Sequence, residues 1–228
     1  MEIIQGKQTS IIGTAELTAK LSGYARLFID IGTGDGRFVR HVASARPDCF
    51  IIGIDTCREN LCDASRRAPA NALFVIANAQ ALPVELNRLA DQVTINFPWG
   101  SLLTGLLTPE SAVMAHLGAI TRPGARLEVR LNAGALAEAG RSLDEGLAQV
   151  RAALSGCGFT AGVHTRLAAG ELKACPTTWA KRLAFGRDPR AMCLYGVRQG
   201  VIRHAARARM PAGESAPSAK RAAAPHWG

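Results

Sequence analysis

The run DIGTGDGR sets Asp30, Gly32, Gly34 and Gly36 at alternate positions. Glycines at that spacing let the chain turn sharply and bring backbone N–H groups against a ligand with no Cβ in the way. Two ligand classes use such a turn. A dinucleotide fingerprint wants a third glycine three residues after Gly34, where this chain has Arg37, and Asp30 and Asp35 would repel a pyrophosphate. The same carboxylates attract an ammonium, and the cofactor that joins adenosine to methionine carries an ammonium and no phosphate. S-adenosylmethionine (SAM) is the better fit. Asp55, in GID, stands at the distance downstream expected of an acid that accepts from both ribose hydroxyls, and Asn78 to Gln80, in IANAQALP, are placed to meet the adenine ring.

A second stretch, NFPWG, sits where the reactive methyl group would lie. Enzymes that methylate exocyclic amines carry a similar N/D-P-P-Y/F element whose polar first residue orients the amine. Asn96 matches that residue type, but Phe97 is inserted before Pro98 and Trp99. A ring nitrogen with a free in-plane lone pair needs no general base. It needs a base taken out of its stack, held flat and aligned with the sulfonium. Trp99 suits one wall of such a slot, and Trp179 in TTWAKRLAFGR suits the other, with Lys181, Arg182, Arg187 and Arg190 following as cations for phosphates. N1-methylated adenine is a cation, so aromatic faces would stabilise the charge that develops on transfer. The competing reading makes both tryptophans ordinary core residues.

These residues need elements to position them. Apolar runs of strand length occur at 26–31, 50–55, 73–77, 92–97 and 125–131, separated by helical patterns at 37–46, 57–67, 109–121 and 142–155. The order predicts an α/β fold with a parallel sheet covered on both faces, whose ligand crevice lies beyond the carboxyl ends of the strands. Ahead of it, EIIQGKQTSII reads as a hairpin turning near Gly6, and TAELTAKLSG as a short helix stopped by Gly23.

Composition limits the rest. The 228 residues suffice for one large domain. No apolar run approaches the roughly 18 residues of a membrane span, and the start MEIIQGKQTS lacks the order of a secretion signal, so a cytoplasmic protein is expected. The six cysteines form no C-x-x-C pair, which predicts neither a metal nor a disulfide framework. From Lys173 onward there are 11 Lys or Arg against 2 Asp or Glu, whereas the first 172 residues are neutral with 16 of each. A basic end on a neutral body suggests a phosphate-backbone partner. Residues 1–200 read as the catalytic domain and 201–228 as a basic, Ala/Pro-rich disordered tail.

FIDIGTGDGR, GIDTCRENL, NFPWGSLL and TTWAKRLAFGR, in this order, resemble the 16S rRNA (adenine-1408 N1)-methyltransferases that confer aminoglycoside resistance. The resemblance runs from residue 1 to about 199. It implies a class I SAM-dependent methyltransferase (Rossmann-like) fold with an N-terminal β-hairpin and helical insertions, acting on 16S rRNA in the 30S subunit. It places cofactor contacts on Asp30, Gly32, Asp55, Ala79, Gln80, Asn96, Phe97, Pro98, Trp99 and Ser101, and a hydroxyl contact on Thr177. The stacking pair falls on Trp99 and Trp179, and the RNA-anchoring cations on Lys181, Arg182, Arg187 and, at the flipped nucleotide's phosphate, Arg190. The family position before Phe97 is apolar, whereas this chain has Asn96. Two rival readings stand beside this one. A tRNA guanine-N7 methyltransferase shares the first motifs but carries F-P-D-P-W, and a non-catalytic RNA-binding or assembly factor would use the same scaffold.

Overall fold

The computed structural model describes residues 1–186 and 188–200. Arg187 and the expected tail, 201–228, lie outside the described residues. One nine-stranded mixed sheet runs through the molecule in the order β2-β1-β5-β4-β3-β6-β7-β9-β8. Its centre is β3 (Arg26–Ile31), flanked by β4 (Cys49–Asp55) and β6 (Ala90–Asn96), with β5 (Ala72–Ile76) and β7 (Thr121–Asn132) outside them. These five strands pair in parallel. The central strands β3 and β4 are buried on both faces, which is why RLFIDI and CFIIGID read as unbroken apolar runs.

Both edges of the sheet are antiparallel, one of them the expected hairpin. The hairpin of β1 (Glu2–Gln5) and β2 (Gln8–Ile11) turns at Gly6 and pairs antiparallel to β5. At the other edge β9 (Ala191–Arg198) pairs antiparallel to β7, and β8 (Phe159–Arg166) pairs antiparallel to β9. Sequence reading missed β8 and β9. Most of β8 is exposed, and a register shift between Ala161 and His164 interrupts its pairing, so its alternation is weak.

The helices follow the sequence pattern within a few residues. They are α1 (Thr14–Leu21), α2 (Arg37–Ala45), α3 (Arg58–Arg66), α5 (Ala112–Ile120) and α7 (Leu143–Gly156), with a capping box at Ser142 and Glu145 starting α7. Four were not foreseen. Helix α4 (Gly100–Leu107) starts directly after Trp99, α6 (Ala133–Glu138) comes after β7, and α8 (Ala169–Ala174) lies between β8 and β9. Helix α9 (Thr178–Phe185), in that same crossing, carries Trp179. A small core holds this insertion to the sheet end: Phe97 packs with Leu167, Leu172, Ala180, Leu183, Ala191 and Cys193. No helix among the described residues is long and apolar enough to cross a membrane.

The chain leaves β3 toward β4 on one side, and β6 is added later on the other. The topological switch point therefore lies at the β3/β6 carboxyl ends, where open α/β sheets bind ligands. The glycine turn sits there, and Gly36 begins α2 with φ 65°. A Cβ on Gly36 would come within 2.5 Å of Ala64 Cβ and 2.6 Å of Phe74 Cε1. Gly36→Ala should therefore combine left-handed strain with overpacking and lose at least about 2 kcal/mol of stability in urea unfolding; a loss within experimental error would show that the α2–β5 packing yields easily.

Candidate active site

A cavity of about 300 Å³ opens beyond the ends of β3, β4, β5 and β6. Of the residues expected from sequence, Gly32, Gly34, Asp55, Ala79 and Gln80 line one side. Asn96, Phe97, Pro98, Trp99, Ser101 and Trp179 line the other. Asp55 is fixed from two directions: Gly34 N–H donates to its Oδ2 at 2.8 Å and Cys57 N–H to its Oδ1 at 2.9 Å. Asn78 Oδ1 accepts from Gln80 N–H at 2.9 Å, which shapes the turn carrying Ala79 and Gln80.

Two expected contacts lie elsewhere. Asp30 does not line the cavity; it is 2% exposed, and its Oδ1 accepts from Thr94 Oγ1 at 2.7 Å and from Asn96 Nδ2 at 2.8 Å. Burial pushes its pKa up to about 6, against the pull of those hydrogen bonds and of the Arg130 charge. Thr177 is the N-cap of α9: its Oγ1 accepts from Ala180 N–H at 2.9 Å.

The two tryptophans meet. Their ring centroids are 5.0 Å apart and their planes 10° from parallel, and the Arg182 guanidinium lies 5.2 Å from the Trp179 centroid on that ring. Phe97 makes the meeting possible. It is a buried non-glycine residue at φ 53°, a strain of about 1–3 kcal/mol, with its N–H held by Arg130 O at 2.8 Å. The bend sends its side chain into the insertion core while Trp99, two residues on, lines the cavity.

Lys181 and Arg182 are exposed and line an open groove on the outer side of α9, joined by Arg37 and Phe185. Arg190 is exposed and paired with Asp188, Nε to Oδ1 at 2.9 Å. No group of His, Cys, Asp and Glu able to hold a metal ion occurs among the described residues.

Sequence reading missed two links. Thr178 Oγ1 donates to Asp35 Oδ2 at 2.6 Å, tying α9 to the glycine turn. Arg130 donates to both Asn96 Oδ1 and Glu128 Oε1, extending the polar chain from Asp30 into β7. The alternation in LEVRL, with Glu128 and Arg130 on one face of a buried strand, was the available signal.

The donor set fits SAM better than a dinucleotide. No Lys or Arg is among the described lining residues to meet a pyrophosphate, and Asp55 is the only carboxylate among them. Gly34 lines the cavity at φ 57°, a left-handed conformation that favours glycine, and a Cβ there would meet no protein atom within 4 Å.

Residues 2–198 match the family described as NpmA: 16S rRNA (adenine(1408)-N(1))-methyltransferase. The chain belongs to this family. It is 34% identical over 205 residues to the Escherichia coli 16S rRNA (adenine(1408)-N(1))-methyltransferase, covering 82% of this chain and 94% of that one. Among solved structures, the antibiotic-resistance methyltransferase Kmr is 37% identical with a TM-score of 0.72, covering 88% of this chain and 99% of its own. The fold also matches a mutant 16S rRNA (adenine(1408)-N(1))-methyltransferase from Catenulisporales acidiphilia with cosubstrate SAM, at 23% identity and a TM-score of 0.78, covering 89% and 98%. Family membership over nearly all of the described chain sets aside the tRNA guanine-N7 and non-catalytic readings.

The Asp30 carboxyl provides a check on this geometry. Its folded pKa, about 6, lies above the ordinary 3.8, so between those values the native state binds the extra proton. Stability from this group is full below about 3.8 and is lost as pH rises through about 6. Urea unfolding across pH 4 to 7 should show a steeper fall of stability with rising pH in the parent than in Asp30→Asn; equal slopes would mean that Asp30 titrates normally.

Proposed function

We propose that the protein transfers the methyl group of SAM to N1 of adenine 1408 in 16S rRNA, within the assembled 30S subunit, and holds the flipped adenine between Trp99 and Trp179. The consequence is aminoglycoside resistance. The observation that carries this reading is the near-parallel tryptophan pair in the wall of the cavity that holds Asp55 and the glycine turn.

SAM supplies a methyl group made electrophilic by its sulfonium. The protein binds, orients and excludes water. Asp55 is the acceptor for the ribose hydroxyls, Ala79 and Gln80 border the cofactor's adenine, and the N–H-rich glycine turn lets the methionine portion approach the backbone. Ionisable groups are scarce: Asp55 is the only one among the described lining residues, and both its oxygens already accept backbone hydrogen bonds. That suits attack by adenine N1, whose lone pair lies in the ring plane and needs no proton removed first. Two aromatic faces then stabilise the positive charge that builds on the base.

The rings now touch each other. A base between them needs about 3.5 Å on each face, roughly 7 Å between the indole planes, so the pair must part by about one base thickness. The hinge is the insertion carrying α9, held by the Phe97 core and the Thr178–Asp35 bond. Lys181 and Arg182, on the far side of Trp179, are placed to take rRNA phosphates as the base enters. Residues 1–200 carry this activity, and the basic segment 201–228 adds affinity for RNA without being required.

Two measurements test the reading. Phe at Trp99 or Trp179 should retain part of the methyl transfer to 30S subunits, scored by primer extension on 16S rRNA, while Leu should lose about ten- to a hundredfold. Equal activity for Phe and Leu, or losses that track melting temperature, would make both tryptophans core residues. For docking, neutralising Lys181 or Arg182 should weaken 30S binding and lower the salt slope by about one for each phosphate no longer held; an unchanged slope would leave these cations as a solvated face.

A further inference from the structure

Asn96 stands out because its amide is fixed from both sides. In the sheet register Asp30 faces Thr94 across β3/β6, and Asn96 faces Arg130 across β6/β7, so the two charged residues flank Asn96 from neighbouring strands. Asn96 Nδ2 donates to Asp30 Oδ1 at 2.8 Å, and Arg130 Nη1 donates to Asn96 Oδ1. The orientation is forced by chemistry: a carboxylate only accepts and a guanidinium only donates, so the nitrogen must face Asp30 and the oxygen Arg130. Arg130 is itself held, by Glu128 Oε1 at its other nitrogen and by the Phe38 ring 5.8 Å from its Cζ.

An asparagine amide has two N–H groups and two carbonyl lone pairs. With one of each committed to Asp30 and Arg130, one N–H and one lone pair are left, on a half-buried residue that lines the cavity beside Phe97, Pro98 and Trp99. That pair matches one base edge in particular. Adenine presents N7 as an acceptor and N6–H as a donor side by side, the edge asparagine pairs with in two hydrogen bonds, whereas guanine presents two acceptors, N7 and O6. Contact on that edge leaves N1 free.

We propose that Asn96 reads the target base as adenine through its N7/N6 edge, and that Asp30 and Arg130 are positioning residues that hold the amide in the one orientation able to do so. This rests on the reading that the tryptophan pair holds the flipped base. Asp30 acts through Asn96 here, which gives this carboxylate a task although it is shut off from the cavity. Removing Arg130 takes away the donor that holds the amide oxygen, so Asp30 alone orients the amide and its free donor and acceptor are held less firmly against the base edge.

The experiment uses the full chain, and 30S subunits reconstituted with either adenine or 7-deazaadenine at position 1408, the latter lacking the N7 acceptor. Single-turnover methylation by the parent should fall about tenfold on the deaza substrate, a comparison that requires no variant to fold. Asn96→Leu should lose about ten- to a hundredfold on ordinary subunits and discriminate no further against 7-deazaadenine. Arg130→Met should behave likewise, and Arg130→Lys, which keeps a donor, should recover part of the rate. SAM affinity by calorimetry and 30S affinity should stay within about twofold of the parent throughout. Equal parental rates on the two substrates would overturn the proposal, as would a loss in Asn96→Leu carried by SAM affinity, which would assign the amide to the methionine portion. Trp99→Leu, measured alongside, separates the two readings. If it too is fully active, the base slot itself fails; if it is impaired while Asn96→Leu is not, only the assignment of Asn96 falls.

Discussion

A carboxylate buried at the centre of the sheet, Asp30, constrains the site more than any other group. Withdrawing an ionised carboxylate from water costs several kcal/mol unless hydrogen bonds and an opposite charge replace the lost solvation. At Asp30 the replacement comes from the next two strands: Thr94 and Asn96 from β6 directly, and Arg130 from β7 through Asn96. The carboxyl ends of three parallel strands are thus linked by one polar chain. The strand end that would otherwise be the least determined part of the crevice becomes fixed in register and in side-chain orientation.

The segment after β6 inherits that fixation. Phe97 takes a left-handed backbone conformation while its N–H bonds to Arg130 O, so its side chain anchors the insertion core and Trp99 is left in the cavity wall. The insertion returns the second tryptophan to the same place, with Thr177 capping α9 and Thr178 reaching Asp35 in the glycine turn. The glycine turn, the tryptophan pair and the cations of α9 are therefore mechanically joined through Phe97 and Thr178. In the proposed reaction an aromatic at the β6 end would hold a desolvated ring nitrogen, and an ionisable group there would have nothing to remove.

The charge distribution obeys the same division. The cavity has a single carboxylate and no cation among its described lining residues, whereas Arg37, Lys181 and Arg182 gather on the outer face of α9. Positive charge is kept outside and the carboxylate inside. Arg182 also lies on the Trp179 ring, so the outer cations and the tryptophan pair are in contact.

The sequence by itself determined the elements whose signal is local. Apolar runs of strand length gave β3 to β7, the D-x-G-x-G-x-G turn and Asp55 gave the cofactor class, and NFPWG with TTWAKRLAFGR gave the two tryptophans. It did not reveal β8 and β9, since an exposed, irregular edge strand carries little periodicity, nor α4, whose start is set by the bend at Phe97. Nor did it reveal which polar residues face the ligand. Asp30 and Thr177 have the right chemistry, yet one is enclosed by Thr94 and Asn96 and the other caps a helix. Only the tertiary structure decided that, because whether a polar side chain meets a ligand or a neighbour depends on strand register and helix docking between residues 34 to 143 positions apart, as with Asn96 and Arg130 or Asp35 and Thr178.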